Sequence, residues 1–466
     1  MRIAFVSPNR ELLPDAVVPI GLLYVMASVP ERHVTELWDL CFEVEPLRAL
    51  AERLERFAPD LVAVGMRNIQ NNDYTGYRDT LRYYQQILDT IRAHTRAPIV
   101  VGGGGFSVMP QGLMALLRPD FGVAGEGERA FAELVEAIDS DRHDLGAIGG
   151  LHYFTGGELV ANAPAAAYQT LDGLPAPERR LVDERHYARF GVDAVQTKRG
   201  CPLRCEYCTY PLIEGRTIRQ RDPARVVDEL FHALECAPAI RHFFIVDSVF
   251  NLPPRHAKAV CREMIARGFR TPWTCYANPL GFDDELADLM VRAGCAGVEI
   301  GSDSGSDAIL DRLKKGFRID AIRAIHDSCA RAGLPDCHTF ILGTMGERLD
   351  DVERTLEFCC DLEPFAAILM IWADDYEALD PGLAARRRAF RESILALLRM
   401  KQAAFPRWII PSLGTNFDAR LFAFLRRRGF HGPLWQHIHV VGADRRSERL
   451  RQAVTRLPEA FFAPRG

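Results

Sequence analysis

Three cysteines fall within eight residues of this chain, CPLRCEYC at 201–208, in the spacing C-x3-C-x2-C. Cysteines this close on one loop can present three thiolates to a soft metal centre. Zinc would normally take a fourth ligand, and no second CxxC or HxxxH pair lies nearby. Beside chance clustering, the reading that remains is a [4Fe–4S] cluster on Cys201, Cys205 and Cys208, whose fourth iron has no protein ligand and stays open to a small molecule. The basic residues Lys198, Arg199 and Arg204 flank the triad. They would steady an anionic centre, and they read equally well as solvated loop charges. The other nine cysteines are spread along the chain as small buried hydrophobes usually are.

The elements that must carry this loop read as two series of short apolar runs separated by amphipathic stretches. RIAFVSP (2–8), VTELWDL (34–40), LVAVGM (61–66), IVVGG (99–103) and FGVAG (121–125) form the first series. Strands alternating with helices imply a parallel sheet covered on both faces. IGGLHYFTGGELVAN (148–162) carries a GG turn between two extended runs, a hairpin signal. LDGLPAPERRLVD (171–183) has the proline and charge of a linker. From Asp193 the alternation resumes with DAVQTKRG, RHFFIVDS (241–248), TPWTCYANP (271–279), AGVEIGSDS (296–304), CHTFILGT (337–344) and AAILMIW (366–372). Six such units predict a partial barrel that works at its C-terminal strand ends. The expected α/β organisation is a doubly wound Rossmann-like parallel sheet over 1–147, a hairpin and linker over 148–192, a partial (β/α)6 barrel over 193–375 and a mainly helical C-terminal region over 376–466.

Composition narrows the partners. The chain has 466 residues and a formal charge of −5, with no basic surplus of the kind nucleic acid demands. Its arginine runs after Asp380 read as solvated helix faces. The apolar stretch from Ala16 to Val29 is broken by proline and falls short of the roughly 20 residues of a membrane helix. MRIAFVSP lacks the pattern of a signal peptide. The expectation is a cytoplasmic protein that binds neither membrane nor nucleic acid and acts on a small molecule.

The cysteine spacing, with aromatic Tyr207 before the last cysteine, resembles the radical S-adenosylmethionine (SAM) superfamily, and the likeness extends over roughly residues 1–375. The resemblance implies that SAM binds the open iron through its amino and carboxylate groups and that one electron splits a carbon–sulfur bond. A flavodoxin- or ferredoxin-type donor would supply the electron. FFIVDSVFN (243–251) is similar to the family's second barrel strand, with Asp247 at its end and Asn251 after it. A helix-capping role for Asp247 stands as the alternative. TCYANP (274–279) matches the third-strand segment and puts Asn278 at its polar end. AGVEIGSDSGS (296–306) resembles the GVEIGLESGS-like segment near SAM. Ser302 and Asp303 stand there where Leu and Glu are common, and Ser304 and Gly305 match. FILGTMGE (340–347) is similar to a GLPGE-like turn, with Gly343 and Gly346 close to ligand. The resemblance thus gives Tyr207, Asp247, Asn278, Asp303, Ser304 and Gly343 as SAM-binding residues.

The first series, with VVGGGGFSVMP (100–110) and FGVAGEGERAFAELV (121–135), resembles the B12-binding domain that precedes many radical SAM barrels. Cobalamin would then meet Gly102, Gly103, Gly104, Gly105, Gly125 and Glu126. DRHDLG (141–146) matches the D-x-H-x-x-G motif of cobalt-ligating histidines. It stands after the last helix of the domain rather than after the first strand, so His143 is discounted. The segment after the first strand holds no histidine, as in relatives that bind cobalamin without one.

With cobalamin, the implied reaction is methylation of an unactivated carbon, or less often phosphorus, in a small natural-product-like substrate. A substrate radical would take the methyl group from methylcobalamin, and SAM would serve both centres. The alternative is transfer of the 3-amino-3-carboxypropyl group of SAM to a heteroatom such as trivalent arsenic, for which Cys359 and Cys360 form an adjacent thiol pair. Methylthiolation is disfavoured, because Cys41 is the only cysteine before Cys201. A non-catalytic cobalamin or iron–sulfur sensor is the remaining class. Asp374, Asp375, Trp372, Trp408 and Trp435 are the residues named for substrate contact.

Overall fold

The computed structural model describes residues 1–69, 80–142, 144–164, 168, 170–373, 381–402 and 407–437. In the first sheet β1 (Arg2–Ser7), β2 (Val34–Asp39), β3 (Leu61–Gly65), β4 (Ile99–Gly102) and β5 (Phe121–Val123) run parallel in the order β2-β1-β3-β4-β5. Strands of this kind are apolar on both faces, and the first four residues of β3 are all buried. The strand order reverses between β1 and β3, and a doubly wound sheet takes its ligand in the crevice outside that point. β6 (Leu151–Thr155) and β7 (Glu158–Ala161) make the expected hairpin, which extends this sheet antiparallel from β5. Both glycines of its turn have positive φ, +58° and +87°.

The second sheet is built from β8 (Val192–Val195), then, beyond an antiparallel ribbon of β9 (Lys198–Arg199) and β10 (Arg219–Gln220), from β11 (His242–Ile245), β12 (Trp273–Ala277), β13 (Cys295–Asp303), β14 (Asp336–Leu342) and β15 (Ala366–Ile371). These six are parallel and lie in sequence order, as the six expected units require. A two-residue strand that the sequence did not announce, β16 (Trp408–Ile409), adds parallel to β15. β8 and β16 stand at opposite edges, so the barrel is open.

Side chains alternate along the barrel strands. Phe243, Ile245, Trp273, Cys275, Val298 and Ile300 share one apolar core with the outer helices. Their neighbours Phe244, Glu299, Thr339, Ile341, Ile368 and Met370 face the other way and stay partly accessible. Tyr276 sits deep among protein atoms yet keeps 41% of its surface accessible. The barrel therefore encloses a hollow.

The described C-terminal region supplies helices Pro381–Lys401 and Ala419–Arg427 and a turn at Leu434–Gln436. Phe422, Leu425 and Trp435 pack with Cys337, Ala366 and Ile409, near the starts of β14 and β15. They close the N-terminal end of the barrel.

A single apolar core runs from Ile3 and Phe5 of the first sheet to Val226 and Leu230 of the barrel helix Pro223–Cys236. A buried ionic knot lies beside it. Glu229 takes Arg221 at 2.6 Å and Arg179 at 2.7 Å, the Tyr24 hydroxyl donates to it at 3.0 Å, and Arg179 also reaches Asp193 at 3.1 Å. Burial works against the Glu229 charge, but Arg179 and Arg221 hold its carboxyl below the ordinary value. Removing one partner of such a knot strands the other charges away from water. Arg179→Met is expected to destabilise the apoprotein by about 3–5 kcal/mol, read as a lower urea midpoint; an unchanged midpoint would contradict the account.

Candidate functional site

The cysteine loop leaves the barrel between β9 and the short helix Tyr210–Ile213. Backbone bonds hold it from three sides: Cys201 N donates to Gly215 O, Cys208 N to Cys205 O and Glu206 N to Leu313 O. Cys201 is buried, whereas Cys205 and Cys208 are half-buried. Burial raises the thiols of Cys205 and Cys208, and Lys315 opposes it at both. Three thiolates from one loop suit a cuboidal cluster, because each takes a separate iron and they need not converge on a point.

Lys315 went unnoticed in the sequence, where nothing in DRLKKG distinguishes it. It is 4% exposed and pairs with Asp303 at 2.7 Å, and its ammonium donates to the Tyr207 hydroxyl at 3.2 Å. Tyr207 in turn donates to Asp303 at 2.5 Å. Burial works against the Lys315 charge and Asp303 outweighs it, so its pKa stands above the usual lysine value. Tyr207 is pushed well up by burial and then by Asp303, and stays neutral. Asp303 lies past a register shift in β13 at φ +62°, a left-handed conformation uncommon outside glycine. That kink aims its carboxylate at the cysteine loop. The residues expected to flank the triad behave differently: Lys198 lies 4.0 Å from Asp247, Arg199 pairs with Glu128, and Arg204 is exposed.

Several other residues named from the sequence brace loops. Asp247 is fully buried and accepts from Thr197 N at 2.7 Å, Thr197 Oγ1 at 2.5 Å and Lys198 N at 3.2 Å, which fixes the strand end before the cysteines. Asn278 N donates to Asn251 Oδ1 and Leu280 N to Asn278 Oδ1, tying two loops together. Ser304 Oγ lies 3.0 Å from Thr355 Oγ1 and accepts from Ser306 N. Gly343 N and Thr344 N both donate to Glu347 Oε2, which closes the turn after β14.

Burial pushes the Glu347 carboxyl up to about 7 against those hydrogen bonds. An acid raised in the folded state costs no stability below its unfolded value near 4.5, and lowers stability as pH climbs from there to about 7. Glu347→Gln is thus expected to match wild type below about pH 4 and to exceed it by about 3 kcal/mol above pH 7. Denaturant unfolding of the apoprotein at both pH values checks this.

At the crevice of the first sheet, a Cβ on Gly103 would lie 2.6 Å from Met66 O, and one on Gly105 would lie 3.0 Å from the Asn68 backbone. The glycine run thus lets the loop after β3 pack against it. Gly125, at φ +83°, faces open space. Glu126 is taken by Arg219 at 2.7 Å and Arg199 at 3.6 Å, bonds that tie this crevice to the strands flanking the cysteine loop. The two sites also meet through helix Tyr210–Ile213, whose Ile213 stands over Gly104. Arg67, after β3, is close enough to Tyr210 and Tyr276 for its charge to act on both hydroxyls. Crevice, cysteine loop and barrel hollow are thus contiguous; the Gly102–Gly105 run, expected to meet a cofactor, is instead covered by protein, and bare backbone beside open space, which fits a flat cofactor, is found at Gly125.

Below the cysteine loop the hollow is lined by Tyr276, Glu299, Thr339, Ile368 and Phe244, whose ring meets Tyr276 edge-on at 5.0 Å. Burial raises the Glu299 carboxyl, opposed by the Trp435 N–H. Trp372 packs edge-on with Tyr207 at 5.8 Å. Trp408 lies in the outer core. Cys359 is also in that core, with Cys360 packed at its edge, so this thiol pair does not line the hollow. His143, Asp374 and Asp375 lie outside the described residues. Among the described residues no helix is long and apolar enough to cross a membrane.

Comparison with known proteins agrees with this division. Residues 195–359 match the radical SAM superfamily, and residues 13–135 match the B12-binding domain. An uncharacterized methyltransferase of Pyrococcus horikoshii is 28% identical over 376 residues, covering 78% of each chain. The tryptophan 2-C-methyltransferase of Streptomyces laurentii is 29% identical over 435 residues, covering 78% of this chain and 72% of its own. Among solved structures, the radical S-adenosylmethionine methyltransferase TsrM from Kitasatospora setae, with cobalamin and [4Fe–4S] cluster bound, superposes with a TM-score of 0.70 at 28% identity, over 79% of this chain and 72% of that one. In its complex with tryptophan substrate and a SAM analogue the TM-score is 0.81 at 24% identity, over 97% and 99% of the two chains. With the cysteine loop at the mouth of an open parallel barrel and a doubly wound sheet packed against it, the chain carries a radical SAM domain over residues 195–359 and a B12-binding domain ahead of it over residues 13–135.

Proposed function

We propose that this enzyme is a cobalamin-dependent methyltransferase that puts a methyl group from SAM on a ring carbon of a small, flat, N–H-bearing heteroaromatic molecule. The observation that carries the reading is the contiguity of crevice, cysteine loop and hollow through Ile213 over Gly104. When bound, the cluster, SAM and cobalamin supply the electron, the methyl group and its carrier. Cys201, Cys205 and Cys208 would hold the cluster, with Asp303, Tyr207 and Lys315 beside SAM. Gly125 would border the cobalamin, with the Gly102–Gly105 turn behind it, packed on the Met66–Asn68 backbone.

The lining of the hollow supports this substrate class. Phe244, Tyr276, Ile368 and Met370 offer flat and apolar surface, and Glu299 offers one proton acceptor. A planar ring with a single N–H satisfies both. It also agrees with the tryptophan named for two of the similar proteins. In the net reaction the ring carbon gains CH3 and loses H⁺, SAM becomes S-adenosylhomocysteine, and Glu299 accepts the proton. This favours an activated ring carbon over the unactivated carbon expected at first.

The test is reconstituted enzyme with methyl-labelled SAM and a panel of tryptophan, simpler indoles and aliphatic amino acids. Label on an indole carbon is the expected result. Label on aliphatic carbon with matching 5′-deoxyadenosine would overturn the substrate assignment.

A further inference from the structure

Glu299 lies midway along β13, and its carboxylate meets a residue from far outside both family matches. Trp435 Nε1 donates to Glu299 Oε1 at 2.8 Å. The indole is 3% exposed and lies flush against the start of β13, since a Cβ on Gly297 would stand 2.4 Å from Trp435 Cη2. Phe365 meets it edge-on at 6.0 Å and 73°. Gly297 and Trp435 therefore form one fitted pair under the carboxylate.

The other groups bearing on Glu299 carry no charge. Tyr276 from β12 is raised well above a normal phenol by burial and then by Glu299 itself. Cys337 from β14 is raised by burial and then by Glu299. The Arg67 charge acts on the Tyr276 hydroxyl and not on Glu299, whose carboxyl answers to burial and to the Trp435 N–H. The Trp435 N–H is the hydrogen-bond donor that the carboxylate has among the described residues. A donated hydrogen bond favours the charged form of a buried carboxyl, and it also fixes which way the group points.

We propose that Trp435 is a positioning residue for Glu299: its N–H fixes the direction of the carboxylate toward the hollow and favours its charged form. The proposal rests on the reading of Glu299 as proton acceptor. It gives the C-terminal region, whose sequence carries no motif, a part in the chemistry.

The test reads the carboxyl directly. The infrared band of protonated Glu299, identified by its loss in Glu299→Gln, is titrated in the full-length reconstituted protein, in Trp435→Phe and in Gly297→Ala. Trp435→Phe removes the N–H and keeps an aromatic ring. Gly297→Ala keeps the N–H but pushes the indole away. Both are expected to raise the titration midpoint by about one pH unit or more, the scale of one hydrogen bond to a charged group. With tryptophan as probe, the acid limb of kcat/KM should move up by the same amount. Unmoved midpoints in the two folded variants would overturn the role of Trp435. A shifted midpoint with full turnover in Glu299→Gln would overturn the proton-acceptor reading instead, and with it the functional half of the proposal.

Discussion

Alanine at any one of Cys201, Cys205 or Cys208 is expected to leave a folded protein without its cluster absorbance and to drop SAM fragmentation to the background of spontaneous breakdown. The loss is complete rather than graded because each thiolate would hold a different iron, and a cluster left with two protein ligands would have no second attachment to fall back on. The loop carries little of the core: Cys205 and Cys208 are half-buried, and Cys201, though buried, lies outside the apolar clusters of the described residues. Stability should therefore change much less than activity. Cys236→Ala is the control: it is also half-buried but lies at the end of helix Pro223–Cys236, and it should keep normal iron and full activity. Iron and sulfide analysis with product quantification by mass spectrometry reads both arms. Retained iron in the triad variants would contradict the assignment.

Glu299→Gln should separate the chemistry from the cofactors. The amide keeps an oxygen for the Trp435 N–H, so the floor of the barrel remains intact. Cluster content, SAM binding and cobalamin binding are expected to be unchanged, while methyl transfer to substrate falls by about 10²–10⁴, the usual contribution of a positioned general base. The pH dependence carries the same signature. Burial raises the Glu299 carboxyl, so its ionised form appears only above the ordinary carboxylate range. Wild-type activity should rise with pH through that raised value, and the residual activity of the variant should lack that limb. Equal turnover in the two proteins would remove Glu299 from the mechanism.

What the sequence disclosed and what it withheld divide by distance along the chain. The cysteine loop, the glycine turn and the strand-end segments are local patterns, so they could be read directly, as could the six parallel units from their apolar spacing. Lys315 was hidden because its role depends on Asp303 and Tyr207, which only the fold brings to it. The hollow was hidden for a similar reason. In AGVEIG and TCYANP, Glu299 and Tyr276 look like ordinary strand residues until alternation turns them to the inner face. Trp435 stands 136 positions from Glu299, a pairing that no short window can reveal. β16 was missed because two residues carry no periodicity. Asp247, Asn278 and Ser304 were legible as special positions, but not that their side chains bond to neighbouring loops.

The central claim is that one hollow serves cluster, SAM and cobalamin for methyl transfer. It is tested most directly by reconstituting the protein anaerobically, loading it with hydroxocobalamin, removing the excess, and supplying SAM, reductant and tryptophan. Bound cobalamin and the fragments of SAM are then measured together by mass spectrometry. The account predicts cobalamin retained near one per chain and SAM converted to S-adenosylhomocysteine in step with methylated product. A protein that holds no cobalamin and releases 5′-methylthioadenosine would contradict it, and would point to transfer of the aminocarboxypropyl group.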